Sequence, residues 1–90
     1  MIEVKKFEAS WCGPCRALKP IFEKVSTHFG GDVKFSFIDV DDQFETASQY
    51  SVRSVPTVVI EKDGKEVQRF SGVQSEMAYI NAIKQWKQVG

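Results

Sequence analysis

Two cysteines, Cys12 and Cys15, stand either side of Gly13 and Pro14. Thiols at this spacing support two kinds of chemistry. They exchange between dithiol and disulfide, or they supply half of a tetrahedral metal site. A zinc site needs two more ligands, and the chain has a single histidine, His28. It lies on what reads as the same helix as Cys15, roughly 20 Å further along at about 1.5 Å per residue. Short of a cluster shared between two chains, no metal site closes around this pair. Redox exchange is the reading to carry forward, with no metal expected.

The surroundings of the pair strengthen that reading. Cys12 falls where an opening strand ends and a helix begins, at the cap position. Unpaired backbone N–H groups and the helix dipole favour negative charge there. Such a site lowers a thiol pKa, and the thiolate is the reactive species. Cys15 follows one helical turn later, within reach of the Cys12 sulfur. Pro14 suits a first turn, where a missing N–H costs little, and Gly13 leaves the approach to Cys12 open. The implied sequence has Cys12 attacking a substrate disulfide to form a mixed disulfide. Cys15 then attacks the Cys12 sulfur and releases reduced substrate.

The elements that must hold this pair follow from periodicity. Residues 2–9 read as a strand. Leu18, Ile21, Phe22, Val25 and Phe29 recur at helical spacing from Pro14 to about Phe29. Pro20 lies inside that helix and should kink it, and Gly30-Gly31 ends it. Val33–Val40 is a second strand with Val33, Phe35 and Phe37 on one face. Asp42 and Glu45 have capping-box spacing before a short helix that carries Phe44, Ala47 and Tyr50 inward. Thr57–Glu61 and Glu66–Ser71 form a hairpin about an Asp63-Gly64 turn. Ser75 caps a last helix whose buried stripe is Tyr79, Ile80, Ile83 and Trp86. Phe35, Phe37 and Phe44 are assigned to the core and Trp86 to packing. The order β-α-β-α-β-β-α predicts one α/β domain over residues 1–90: a four-stranded mixed sheet flanked by helices, its first two strands parallel through a right-handed crossover and its last two antiparallel.

Composition narrows the function classes. Of the 90 residues, 42% are hydrophobic, and 12 basic side chains balance 12 acidic ones, so no basic surface calls for nucleic acid or anionic membrane. The longest apolar run is Val58-Val59-Ile60, far short of a membrane span. Charges interrupt Met1–Phe7 at every second or third position, unlike the apolar stretch of a signal peptide. The expectation is a soluble, cytoplasmic protein in which a cysteine pair is catalytic rather than structural.

Ala9-Ser-Trp-Cys-Gly-Pro-Cys-Arg16 resembles the active-site segment of the thioredoxin family. Ser54-Val-Pro-Thr57 resembles that family's cis-proline loop, and Gly72-Val73 its glycine-containing loop. All three occur in the family's order and spacing, and the resemblance covers nearly the whole chain. It implies a minimal thioredoxin fold, a cis Pro56 opposite Cys12, and no cofactor beyond the cysteine pair. It also implies substrate pairing with the Val55 backbone by strand addition, within a substrate-facing surface formed by Trp11, Gly13, Pro14, Val55, Pro56, Gly72 and Val73. Trp11, at an exposed strand-to-helix corner, reads as a substrate contact. The implied partners are protein disulfides and a thioredoxin reductase that brings electrons from NADPH, with the chain acting as a monomer. Gly-Pro between the cysteines resembles the reducing members. The alternatives are glutaredoxin-like or oxidase/isomerase exchange, and a binding subunit of another enzyme.

The chain departs from the family in two places. It begins at what would be the family's second strand, so one sheet face should have less cover; Glu3 and Lys5, alternating with Ile2 and Val4, fit a strand with one wet side. Six residues before the first cysteine, where the family buries an aspartate that assists the second thiol, stands Lys6; Phe37 replaces the accompanying lysine. Lys6 either reaches solvent across the less covered face, the favoured reading, or points toward Cys15 and stabilises its thiolate. Glu8 or Asp39 is the substitute carboxylate.

Overall fold

The computed structural model describes residues Met1–Val89. Its elements are β1 (Ile2–Glu8), α1 (Gly13–Phe29), β2 (Val33–Asp39), α2 (Phe44–Gln49), β3 (Thr57–Lys62), β4 (Lys65–Ser71) and α3 (Glu76–Gln88). A single 3₁₀ turn, Gly30–Asp32, joins α1 to β2. The sheet order is β2-β1-β3-β4, with β1 parallel to β2 and antiparallel to β3, and β3 antiparallel to β4. The element order and mixed sheet match the sequence reading, with boundaries moved by one residue at most ends.

Local chemistry explains the punctuation. Ser75 accepts the Ala78 N–H and starts α3. Asp63 and Gly64 both have positive φ (53° and 85°), which the tight β3–β4 hairpin requires. Helix α1 runs unbroken through the exposed Pro20, and the Gly30 N–H closes it on the Ser26 carbonyl. Helix α2 departs from expectation. Gln43 occupies its N-cap without a side-chain bond, and no Asp42–Glu45 box forms. Asp39 Oδ1 instead accepts the N–H groups of Asp41 and Asp42, at 2.8 and 3.3 Å.

The sheet has two unequal faces. Alternate residues of β1, Ile2 and Val4, face α1 and α3, in a core with Leu18, Phe22, Val25, Val58, Ile60, Tyr79, Ile80 and Ile83. Trp86 packs at its margin and donates to Gln68 Oε1 at 2.8 Å. The opposite face holds a smaller cluster of Phe7, Ile38, Ala47 and Val59 under α2. Beyond α2, that face is polar. Lys5 pairs with Glu3 and Glu61, the Tyr50 hydroxyl donates to Glu61, and the Ser36 hydroxyl donates to Glu3 at 2.8 Å. This network accounts for the alternating charges of β1. The burial of Glu61 is tolerable because both of its oxygens are satisfied.

Two aromatic assignments need correction. Phe44 is 73% exposed rather than inward: it is the first residue of the short helix α2, and Ala47, one turn further in, is the residue buried against the sheet. Phe37 is 50% exposed although it shares the face of Val33 and Phe35. Strand β2 is the sheet edge, so its last inward aromatic meets α1 on one side only, edge-on to Phe22 at 6.4 Å.

Candidate active site

Strand β1 delivers the chain to the site, and the turn after it is fastened from both sides. The Cys12 N–H donates to the Ala9 carbonyl at 3.2 Å, and the Arg16 guanidinium donates to the Ser10 carbonyl at 3.0 Å. Cys12 then adopts an extended backbone as N-cap of α1, and the Cys15 N–H donates to its sulfur at 3.1 Å. A polar N-cap side chain ordinarily takes this donor; here a sulfur takes it. No acidic residue occupies the first turn of α1 to oppose a thiolate. The two sulfurs are joined as a disulfide with Cα atoms 5.3 Å apart. The pair is well buried, at 4% and 5% exposure, against Ala9, Val40 and Val55.

Three loops surround the pair. The Val55–Pro56 peptide is cis, and the Val55 carbonyl oxygen lies 3.6 Å from Cys12 Sγ. Thr57 braces this loop by donating to the Ser54 carbonyl at 2.7 Å. The Gly72 N–H donates to the Pro56 carbonyl at 2.9 Å, so the glycine loop is tied to the proline loop. Gly72 has φ 82°, a conformation that favours glycine. Tyr79, reaching up from α3, accepts the Gln74 N–H and donates to the Gly72 carbonyl.

These loops bring the anticipated residues together, with different exposures. Trp11 (66% exposed), Gly13, Pro14 and Val73 are open to solvent; Val55 and Gly72 are half-buried. The Pro56 ring is fully buried; only its loop backbone, not an exposed ring, is presented near Cys12. Beside Trp11 a small apolar cleft of about 130 Å³ is lined by Val40, Val52 and Val55.

Lys6 does not reach solvent, the course favoured from the sequence. It lies on the face packed by α1, not the wetter one, and is 3% exposed. Its Nζ pairs with Glu8 Oε1 at 3.0 Å and sits 5.3 and 5.1 Å from the Phe22 and Phe37 ring centres. Burial of a lysine needs such a counter-ion; Glu8 supplies it.

Sequence reasoning missed two supports. Asp41 accepts the Trp11 indole N–H at 2.9 Å. The acidic run Asp39–Asp42 was the available signal, but it read as a helix cap. Tyr79 was assigned to the core, where its ring belongs, and its hydroxyl's role at Gly72 carries no local sequence signature.

A buried, helix-capping disulfide on a mixed sheet defines a dithiol–disulfide exchange protein. The thioredoxin family model matches residues 2–85. The chain is 47% identical to a thioredoxin of Gallus gallus over 73 residues, covering 81% of this chain and 69% of that protein. Among solved structures, a mutant thioredoxin from Halobacterium salinarum NRC-1 superposes with a TM-score of 0.88 at 36% identity, covering 99% of this chain and 77% of that one. A chain from a study of thiol resolution in a yeast mitochondrial 1-Cys peroxiredoxin via glutathione/thioredoxin systems gives 0.86 at 32%, covering 93% and 77%. The chain belongs to the thioredoxin family. Cys12 and Cys15 are its thiol–disulfide oxidoreductase centre, and its reaction is dithiol–disulfide exchange with protein disulfides.

Proposed function

We propose that the chain is a disulfide reductase in which Cys12 is the attacking thiolate and Cys15 the resolving thiol. The 3.1 Å approach of the Cys15 N–H to Cys12 Sγ carries this assignment. A donor held at that sulfur, at the N-terminus of a 17-residue helix, favours the charged form of Cys12. Substrate enters over Trp11, Gly13, Pro14 and Val73, and its extended backbone pairs with Val55 of the proline loop, with Gly72 on the far side. No prosthetic group takes part. Electrons arrive from NADPH through a thioredoxin reductase, and the protein works as a monomer. A reducing, cytoplasmic setting suits a centre that starts its cycle as a dithiol. The yeast chain from a study of thiol resolution in a 1-Cys peroxiredoxin supports oxidised protein cysteines as the substrate class.

Insulin reduction followed by turbidity tests the reading. The protein should accelerate precipitation over dithiothreitol alone, and should do so with NADPH and thioredoxin reductase as sole electron source. No acceleration in either assay overturns it, and turnover with glutathione alone transfers the protein to a glutaredoxin-like role.

A further inference from the structure

Formation of the internal disulfide requires Cys15 to lose a proton, and Cys15 is almost wholly buried. Its nearest opening is a cleft of about 250 Å³ between α1 and the ends of β1 and β2, which Cys15 lines together with Glu8, Asp39, Arg16 and Lys19. That volume admits water. Two carboxylates therefore face the cleft, on cross-strand partners of the β1–β2 pair.

The two are differently engaged. Asp39 Oδ1 is occupied by the Asp41 and Asp42 N–H groups, in the turn that also presents Asp41 to Trp11. Glu8 is anchored at one oxygen by Lys6 Nζ, and its side chain is one-third exposed at the mouth. A second cleft, lined by Lys6, Lys19, Glu23 and Phe37, also ends on Glu8. Lys6 is the buried charge of this region, flanked by Phe22 and Phe37, and Glu8 is its ion-pair partner. The pairing holds the carboxylate in place at the edge of the Cys15 cleft.

We propose that Glu8 accepts the Cys15 proton through a water in this cleft, with Lys6 as the positioning residue. The step balances simply. The Cys15 proton passes to Glu8, and the thiolate forms a bond to Cys12 Sγ. The bond from Cys12 to the substrate sulfur breaks, and the departing thiolate takes a proton from solvent. The charged groups facing Glu8 are Lys6 from β1, Arg16, Lys19 and Glu23 from α1, and Asp39 from β2. The proposal rests on Cys15 being the resolving thiol.

Stopped-flow reaction of the reduced protein with the aromatic disulfide DTNB separates the steps. The first thionitrobenzoate is released by Cys12 attack, in a bimolecular phase whose rate rises with DTNB concentration. The second is released by Cys15, in a first-order phase independent of that concentration. Glu8→Gln should slow the first-order phase about tenfold or more at pH 7, within the usual scale of acid–base catalysis, and leave the bimolecular phase within about twofold. Glu8→Asp should recover part of the loss. The deficit should vanish near pH 10, where an ordinary thiol ionises unaided. Lys6→Met should slow the same phase, and Asp39→Asn should not. An unchanged first-order phase in Glu8→Gln, equal slowing of both phases, or a deficit that persists near pH 10 overturns the proposal. So does a loss seen with Asp39→Asn but not Glu8→Gln. Should Glu8→Gln not fold, the pH dependence of the Glu8→Asp first-order phase decides: a profile identical to the wild type contradicts the proposal. Absence of any first-order phase in the wild type refutes the role of Cys15 itself.

Discussion

Trp11 Nε1 donates a 2.9 Å hydrogen bond to Asp41 Oδ2, which ties the exposed indole beside the cysteine pair to the turn after β2. The bond is solvent-exposed, so its effect on stability is small, about 1 kcal/mol. Its effect on the active-site rim is larger, because it orders a side chain that is 66% exposed. Asp41→Ala should change the urea midpoint little and raise KM for insulin severalfold at nearly constant kcat. A KM equal to that of the wild type contradicts a role for this bond in substrate binding.

Tyr79 links α3 to the glycine loop. Its ring packs edge-on against Phe22 and Phe70, each at 5.2 Å, and its hydroxyl serves Gln74 and Gly72. Tyr79→Phe keeps the packing and leaves the Gln74 N–H without its partner, which should cost about 1–3 kcal/mol in urea unfolding. Hydrogen exchange should quicken at Gln74 while the β1–β3 ladder stays protected. Unchanged stability and exchange would show that the hydroxyl is dispensable.

The polar sheet face carries a pH dependence. Burial raises the Glu3 carboxyl, but the Ser36 hydroxyl and Lys5 outweigh it and hold Glu3 below its ordinary value of 4.5. Arg69 likewise holds Glu66 below 4.5, against a smaller effect of burial. A carboxyl depressed in the folded state contributes stability that is full above its unfolded pKa and lost as pH falls through the folded value. Stability should therefore drop below pH 4.5, and Glu3→Gln should flatten that drop while lowering stability at pH 7. A Glu3→Gln profile parallel to the wild type between about pH 5 and pH 3 contradicts the assignment. Lys5 is displaced the other way. Burial lowers it, but Glu61, Glu3 and Tyr50 together raise it above its ordinary 10.5, so it stays charged throughout this range.

Residues whose environment is set by their neighbours in the chain were legible from sequence. Cys12 at a strand–helix junction, Ser75 as a cap, Asp63-Gly64 as a tight turn and the helical stripe from Leu18 to Phe29 all express local rules. Phe37, Phe44 and Lys6 were misjudged because their surroundings depend on tertiary position. Phe37 is hydrophobic in the correct phase, yet β2 is an edge strand with α1 on one side only. Phe44 is the first residue of a six-residue helix whose one buried residue is Ala47, and its 73% exposure is set by where that short helix ends against the sheet rather than by its spacing in the sequence. A lysine in a core phase reads as an exception bound for solvent. Its burial depended on Glu8, two residues along the same strand face, and on two aromatic rings from other elements.

Phe22 tests whether the core beneath the site holds it in place. It is 1% exposed and contacts Phe35, Phe37 and Tyr79 edge-on. Phe22→Ala should cost about 3–5 kcal/mol and remove one of the two rings flanking Lys6. Loss below about 1 kcal/mol in urea unfolding contradicts this packing.

The division of labour between the cysteines is tested most directly by intact-mass analysis of two single variants incubated with oxidised insulin at about pH 7, where a depressed thiol is ionised and an ordinary one is not. Cys15→Ser should accumulate a covalent adduct with an insulin chain, released by dithiothreitol and mapped to Cys12, because no thiol remains to resolve it. Cys12→Ser should form little or none. Comparable adducts on both variants, or an adduct confined to Cys15 in Cys12→Ser, contradicts Cys12 as the attacking thiolate.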